Sequence, residues 1–415
     1  MSLLHSMGKW LAGLVSALAL VSASPTWAQP AAAPAVTLPG PLPQAWTDAF
    51  SGLASDPRPP ALVRDTHYIV SNEDNHFVWR TSLEGRGGVY VGVGTDQNYV
   101  MAGWVRPELL VLLDFDQVVV DLHRVYGVIF LNSPTPHDFL DLWEDRNVRR
   151  VEELIEALKV DAPTRRGMLA AYRMAHFAVP RRLRRVEAAY KPLGIRWFLN
   201  DINQYRYLVE LFRTGRVVPI RGDLSVGGAM SAVAQATQKA GGVVRTLYLS
   251  NAERYFPYTA GFKQSMMALP TDEKSLVVRT RARMSGAYEY IVQDAGNFKR
   301  WLDWGKMSYA VELTRYRELD STTGAYFIRR EPPQPKTPAK ATAEKSAEKP
   351  SEKSAEKPSD KAAEKPSEKS AEKPSEKAAE KAGDKAASVV PAAGKAAGLD
   401  GTANVSASTQ PSPAR

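Results

Sequence analysis

Residues 88–97, Gly88-Val-Tyr-Val-Gly-Val-Gly-Thr-Asp-Gln97, run from β-branched and aromatic side chains straight into a glycine turn. Gly92 and Gly94 carry no Cβ, so the backbone there can approach a ligand closely. A second apolar run, residues 109–113, ends in Asp114-Phe-Asp116. Asp114 falls about twenty residues beyond the glycines, the spacing of an acid that accepts two ribose hydroxyls in a nucleotide site. Gly92, Gly94, Asp96, Gln97 and Asp114 are therefore the candidate cofactor-binding residues. Each has a plainer alternative. The glycines can simply close a turn, and either aspartate can cap the helix that starts near Gln117. Asp116 is better placed for the cap, which leaves Asp114 for a ligand.

Three further polar clusters invite the same weighing. Asp223 follows Gly222 and precedes Gly227-Gly228. It can accept from a ligand's amino group or shape a turn. In Ser250-Asn-Ala-Glu253, Asn251 can hold an amine or carbonyl, and Glu253 can act as a general base if partly desolvated. The same residues also read as a helix capping box. Ser71-Asn-Glu-Asp-Asn75 is either a lid over a site or an ordinary polar loop.

Other chemistries fit poorly. The chain has no cysteine, which removes disulfides, thiolate metal sites and a lipid-anchored N-terminus. His67, His76, His123, His137 and His176 show no metal-binding spacing, so no metal site is assigned. His123 lies on an apolar helical pattern and reads as a packed core residue. There is no GxSxG elbow and no Walker A lysine. A dinucleotide oxidoreductase stays open, but Gln97 stands where the third glycine of its fingerprint would be.

These residues need a scaffold, and the hydrophobic pattern supplies one. Strand patterns at 88–93, 109–113, 216–220, 244–249, 276–279 and 288–292 alternate with helical patterns at 98–106, 117–130, 202–213, 229–240 and 258–269. That alternation predicts an α/β fold with a doubly wound, mostly parallel sheet and helices on both faces. Pro219 marks a strand start or an edge position. The last two strand patterns are close enough for an antiparallel hairpin. Residues 131–200 read as helices only, with Pro180 expected to break the last of them, and form a helical insertion or cap.

This order resembles the class I S-adenosylmethionine-dependent methyltransferase fold. The resemblance rests on Gly92-Val-Gly94-Thr-Asp-Gln97, Asp114, Gly222-Asp223, Ser250-Asn-Ala-Glu253 and the late strand pair. The chain also resembles a family of exported bacterial proteins, methyltransferase-like and of unknown function. The resemblance covers most of residues 68–303. It implies S-adenosylmethionine as cofactor, with Asp114 on its ribose, Asp223 on its adenine amine, and Asn251 and Glu253 as catalytic residues facing a small-molecule substrate. Two departures stand out. Val91 sits just before the first glycine, where the family usually has an acid, and Gln97 replaces the third glycine. A non-catalytic binding or scaffold protein of the cell envelope that kept the fold is the alternative, because the methyl donor is made in the cytoplasm.

The ends of the chain have other roles. Lys9, the apolar residues 10–21 and Ser24-Pro-Thr-Trp-Ala28 have the anatomy of a secretory signal peptide with cleavage near Ala28. The expected location is therefore periplasmic or secreted, with no membrane span after cleavage. Residues 29–64 are rich in Pro and Ala and read as a linker to an α/β domain at 65–330. Residues 331–415 carry a Lys/Glu/Pro/Ala/Ser repeat that cannot bury enough apolar surface to offset chain entropy, and are expected to be disordered. This tail is a solvated spacer or a contact for cell wall or anionic polymer. The net charge of +9 is enriched in the arginines of 146–191, which read as a solvated helix face; no nucleic-acid motif accompanies them.

Overall fold

The computed structural model describes residues 37–333. The signal peptide and the repeat tail expected from the sequence lie outside the described residues. Within them, eight strands form one sheet: β1 (Val89–Val93), β2 (Leu109–Asp114), β3 (Val217–Arg221), β4 (Val244–Tyr248), β5 (Leu276–Ala282), β6 (Tyr288–Asp294), β7 (Glu318–Leu319) and β8 (Tyr326–Ile328). Their order is β3-β2-β1-β4-β5-β6-β8-β7. The first five strands run parallel, with β1 and β2 paired from Val89–Leu109 to Val93–Leu113. β5 and β6 then form the expected antiparallel hairpin, from Leu276–Asp294 to Ala282–Tyr288. The fold is thus α/β with a mostly parallel sheet. Pro219 lies in β3, which pairs only with β2, so its missing N–H is not needed. The strands β7 and β8 extend the sheet beyond the hairpin and have no counterpart in the sequence pattern, being two and three residues long.

Strand periodicity divides the core in two. Val89, Val91, Val93, Leu109, Val111 and Leu113 point to one face, and Tyr90, Leu110 and Leu112 to the other. Every residue of β1 and β2 is buried, as befits central strands covered on both sides. The first face carries α1 (Gln44–Phe50), α10 (Gly228–Lys239), α11 (Ala260–Ala268), α12 (Ala295–Asp303) and α13 (Ala310–Thr314). The second carries α2 (Arg80–Leu83), α3 (Gln97–Val105), α4 (Gln117–Leu131) and α9 (Ile202–Arg213), with the insertion packed outside them.

The insertion comprises α5 (Pro136–Asp141), α6 (Val148–Glu156), α7 (Ala162–Ala175) and α8 (Ala178–Tyr190). Its buried Phe139, Trp143, Tyr172, Leu183 and Tyr190 continue the core around α4. The helix break falls between α7 and α8, before Pro180. Pro180 occupies the first turn of α8, where a missing N–H breaks no helical bond.

The segment read as a linker is partly structural. Ala49 and Phe50 of α1 are buried against α10, and Asp56 is buried as well. Arg216 donates to the Gly40 carbonyl at 3.0 Å and the Pro41 carbonyl at 3.1 Å. The folded unit therefore begins well before residue 65. Among the described residues no helix is long and apolar enough to cross a membrane.

Candidate functional site

The strand order reverses between β1 and β4, and doubly wound sheets open a crevice outside the carboxyl ends of their strands at such a point. A cavity of about 240 Å³ lies there. Its wall is made by the turn after β1 (Val93, Gly94, Thr95, Gln97), the end of β2 (Asp114, Phe115, Asp116), the end of β4 (Ser250, Asn251) and the segment from Val63 to Glu73. Gly94, Gln97, Asp114 and Asn251 thus reach one cavity, as the sequence suggests.

The glycine turn is braced from behind. Gly94 has φ +87°, a backbone conformation that favours glycine. Its carbonyl accepts from His123 Nε2 at 2.8 Å and from Asn98 Nδ2 at 3.1 Å. His123 Nδ1 in turn accepts from the Tyr99 hydroxyl at 2.9 Å. Burial pulls the His123 pKa down to about 4, so the ring is neutral at pH 7 and its tautomer is fixed by these two bonds. The core reading of His123 therefore holds, and the core role is to support the turn.

Asp114 is the open acid of the site. Burial raises its pKa to about 7, and the neighbouring Asp116 carboxylate adds to the shift. The backbone N–H groups of Asp116, Gly94 and Phe115 oppose it only in part. No cation pairs with Asp114 among the described residues. Asp116 takes the capping role: its Oδ1 accepts from Val118 N at 3.0 Å, and its Oδ2 lies 2.7 Å from His67 Nδ1.

Glu73, in the polar cluster read as a lid or loop, is the acid that sequence reasoning did not single out. Its Oε2 accepts from the Tyr248 hydroxyl at 2.7 Å and His76 Nε2 at 3.0 Å; its Oε1 accepts from Ser250 Oγ at 2.8 Å and Thr280 Oγ1 at 2.6 Å. Burial pushes its pKa up, but His76 and the hydroxyls outweigh burial and hold it below the ordinary value. Apart from His76, three residues on, the partners come from two distant places, the end of β4 and β5, so only the density of polar residues at 71–75 hinted at it. Ser250 carries a left-handed φ of +52°, a strained position at the cavity wall. The cluster forms a fixed wall: Arg182 of α8 donates to Asp74 and to the Glu73 carbonyl.

Four candidate residues lie outside the cavity wall. Asp96 is fully buried, with Oδ2 3.0 Å from Arg182 Nε and Oδ1 accepting from Ser71 N at 2.7 Å. It ties the insertion to the glycine turn, with no lone pair turned to a ligand. Gly92 is a packing glycine, since a Cβ there would stand 2.0 Å from Asn98 Oδ1. Asp223 folds into its own turn, accepting from Ser225 N at 2.8 Å and Ser225 Oγ at 2.7 Å. The adjacent N–H groups of Asp223 and Ala229 are taken by the Asp56 carboxylate at 2.9 and 3.0 Å. Glu253 is buried beside Arg279 at 3.1 Å and accepts from the Tyr258 hydroxyl at 2.5 Å. It cannot serve as a base in the cavity. No residue of the insertion lines the cavity either, so the insertion buttresses the site and does not cap it.

The fold and this strand-end cavity define an α/β protein with an open crevice at its topological switch point. Residues 68–328 match the family described as a domain of unknown function, DUF7790, and the chain belongs to that family. No curated protein matches the chain in sequence.

Proposed function

We propose that this is an exported protein whose cavity binds S-adenosylmethionine, in the manner of a methyltransferase. The observation that supports this reading is the meeting of Gly94, Asp114 and Asn251 in one cavity at the β1–β4 switch point. The donor set fits the group. Glu73, Asp114 and Asp116 bring three carboxyl groups to the interior, and a ligand carrying a sulfonium and an ammonium would favour the ionised form of Asp114. Asp114 would accept the ribose hydroxyls, Gly94 and Gln97 would border the amino-acid portion, and Phe115 and Val119 would offer apolar surface to the base. The cavity, about 240 Å³, is just under the ~300 Å³ at which ligand pockets usually begin, so the cofactor would take up most of it and leave the acceptor at the open mouth. S-adenosylmethionine supplies a methyl group activated by the positive sulfur. The protein would contribute orientation, with the Asn251 amide at the wall, and no general base from Glu253.

A second reading, a non-catalytic binding or scaffold protein, is favoured by Glu73. All four of its hydrogen bonds are to the protein itself, so it offers no base to a substrate. Calorimetry of the full chain with S-adenosylmethionine and S-adenosylhomocysteine tests the first reading. Binding of both is expected, weakened about tenfold or more by Asp114→Ala through loss of the ribose acceptor. A folded chain that binds neither compound refutes the cofactor assignment. Binding without methyl loss in the presence of candidate acceptors favours the second reading.

A further inference from the structure

We infer that the second ligand of this site, the one seated at the cavity mouth, is an aromatic anion with a flat ring and an acidic oxygen group: an aryl carboxylate or an aryl phosphate. Two arginines line the cavity from different segments of the chain. Arg64 belongs to the short 3-10 turn Val63–Asp65, and Arg254 to the 3-10 turn Ala252–Tyr255 that follows β4. Both are exposed. Neither guanidinium forms an ion pair among the described residues; exposed Arg150, Arg166 and Arg206 form none either, so it is their shared place on the cavity wall that singles out Arg64 and Arg254. Arg64 and its neighbour Asp65 both hold left-handed backbone, φ +54° and +48°. The turn is held by its own bonds, with the Arg64 carbonyl accepting from Thr66 Oγ1 at 2.9 Å, and it fixes the backbone from which the Arg64 side chain extends.

The aromatic side chains at the same mouth complete the pattern. Tyr68, Tyr255 and Tyr288 all line the cavity, and Tyr68 and Tyr255 are 41% and 43% exposed. The Arg254 guanidinium stands 5.3 Å over the Tyr255 ring, and its charge also reaches the Tyr288 hydroxyl. Exposed aromatic faces beside unpaired guanidinium groups favour a flat ring with an acidic substituent: the ring stacks, and the acid accepts a forked pair of N–H bonds. The polarity of the cavity sets the orientation. Its interior holds Glu73, Asp114 and Asp116, and its rim holds the arginines. An anion therefore keeps its charge at the rim, and the cationic group is drawn inward. Naming the anion as acceptor rests on the cofactor reading above; the anion site itself does not.

The test uses the full chain and three probes built on one benzene ring: benzoate, its neutral isostere benzamide, and phenyl phosphate. Calorimetry is run at about 0.15 M salt, where long-range attraction is screened, with and without S-adenosylhomocysteine. The wild type is expected to bind benzoate or phenyl phosphate about tenfold more tightly than benzamide. The double variant Arg64→Gln/Arg254→Gln is expected to lose that preference while its thermal midpoint stays within a few degrees, since both side chains are exposed. The better of the two anions identifies carboxylate or phosphate chemistry. Equal binding of charged and neutral probes, no binding of any probe, or a preference that survives in the double variant overturns the inference. Anion preference without S-adenosylhomocysteine binding leaves it standing and removes only the cofactor reading.

Discussion

The carboxyl end of β2 and the ends of β3 and β4 carry acids of the same apparent promise, and the fold treats them differently. Asp114 ends β2 facing a cavity, and no cation among the described residues offsets its burial. Asp223 and Glu253, after β3 and β4, are closed by the protein itself: Asp223 by its own turn, Glu253 by Arg279 and Tyr258. Asp96 repeats the closed pattern only two residues from Gly94, because Arg182 reaches it from the insertion. An acid at a strand end is thus a placement. Whether it is a binding group depends on whether its own turn or a remote segment has already used it.

The sharpest way to break this comparison is at the closed acid. Arg182→Met leaves the Asp96 carboxylate buried without its cation and should destabilise the chain by about 3–5 kcal/mol. The pairing variant Asp96→Asn/Arg182→Met should recover most of the loss, because no lone charge remains. Urea unfolding curves measure both; an unchanged midpoint for Arg182→Met would remove the ion pair as the anchor of the glycine turn.

At the open acid the sign reverses. The folded-state pKa of Asp114 is about 7, well above the ~3.9 of an unfolded aspartate. As pH rises through that interval the unfolded chain gives up its proton before the folded one does, so the folded state loses stability from about pH 4 to about pH 7 and the deficit stays constant above. The group facing Asp114 that adds to this is Asp116, itself bonded to His67. Asp114→Asn should therefore stabilise the chain by about 2 kcal/mol at pH 8, with the gain shrinking toward pH 4. Unfolding measured across that range decides the point. A variant less stable than wild type at pH 8 would mean that Asp114 is a satisfied structural acid like Asp96.

The smallest effect is expected at β3. Asp223→Ala removes two part-buried turn bonds and should cost about 1 kcal/mol, with no change in S-adenosylhomocysteine affinity. An affinity loss as large as that of Asp114→Ala would return Asp223 to the site.

Much of the scaffold was legible. The alternation in β1 and β2, the helical spacing of α4 and the proline at the β3 edge are local patterns, and each strand or helix forms where its own residues favour it. Gly94, Gln97, Asp114 and Asn251 were readable because strand ends and glycine turns are also local. What escaped had no local signature. α1 and Asp56 lie in a Pro/Ala-rich stretch that reads as linker, and Asp56 is bonded to Ala229, 173 residues away. Glu73 looks like one more polar loop residue until Thr280, 207 residues on, is brought beside it. The very short β7 and β8 carry too few residues to show a period.

The sequence by itself determined the alternating α/β order, the two-faced periodicity of the central strands and the presence of a glycine turn followed by an acid, since these depend on side chains a few positions apart. The tertiary structure decided that Asp96 and Glu253 are closed and Asp114 is not, because Arg182 and Arg279 reach the first two from other parts of the chain, and the pairing of distant side chains is set by packing, not by any local pattern.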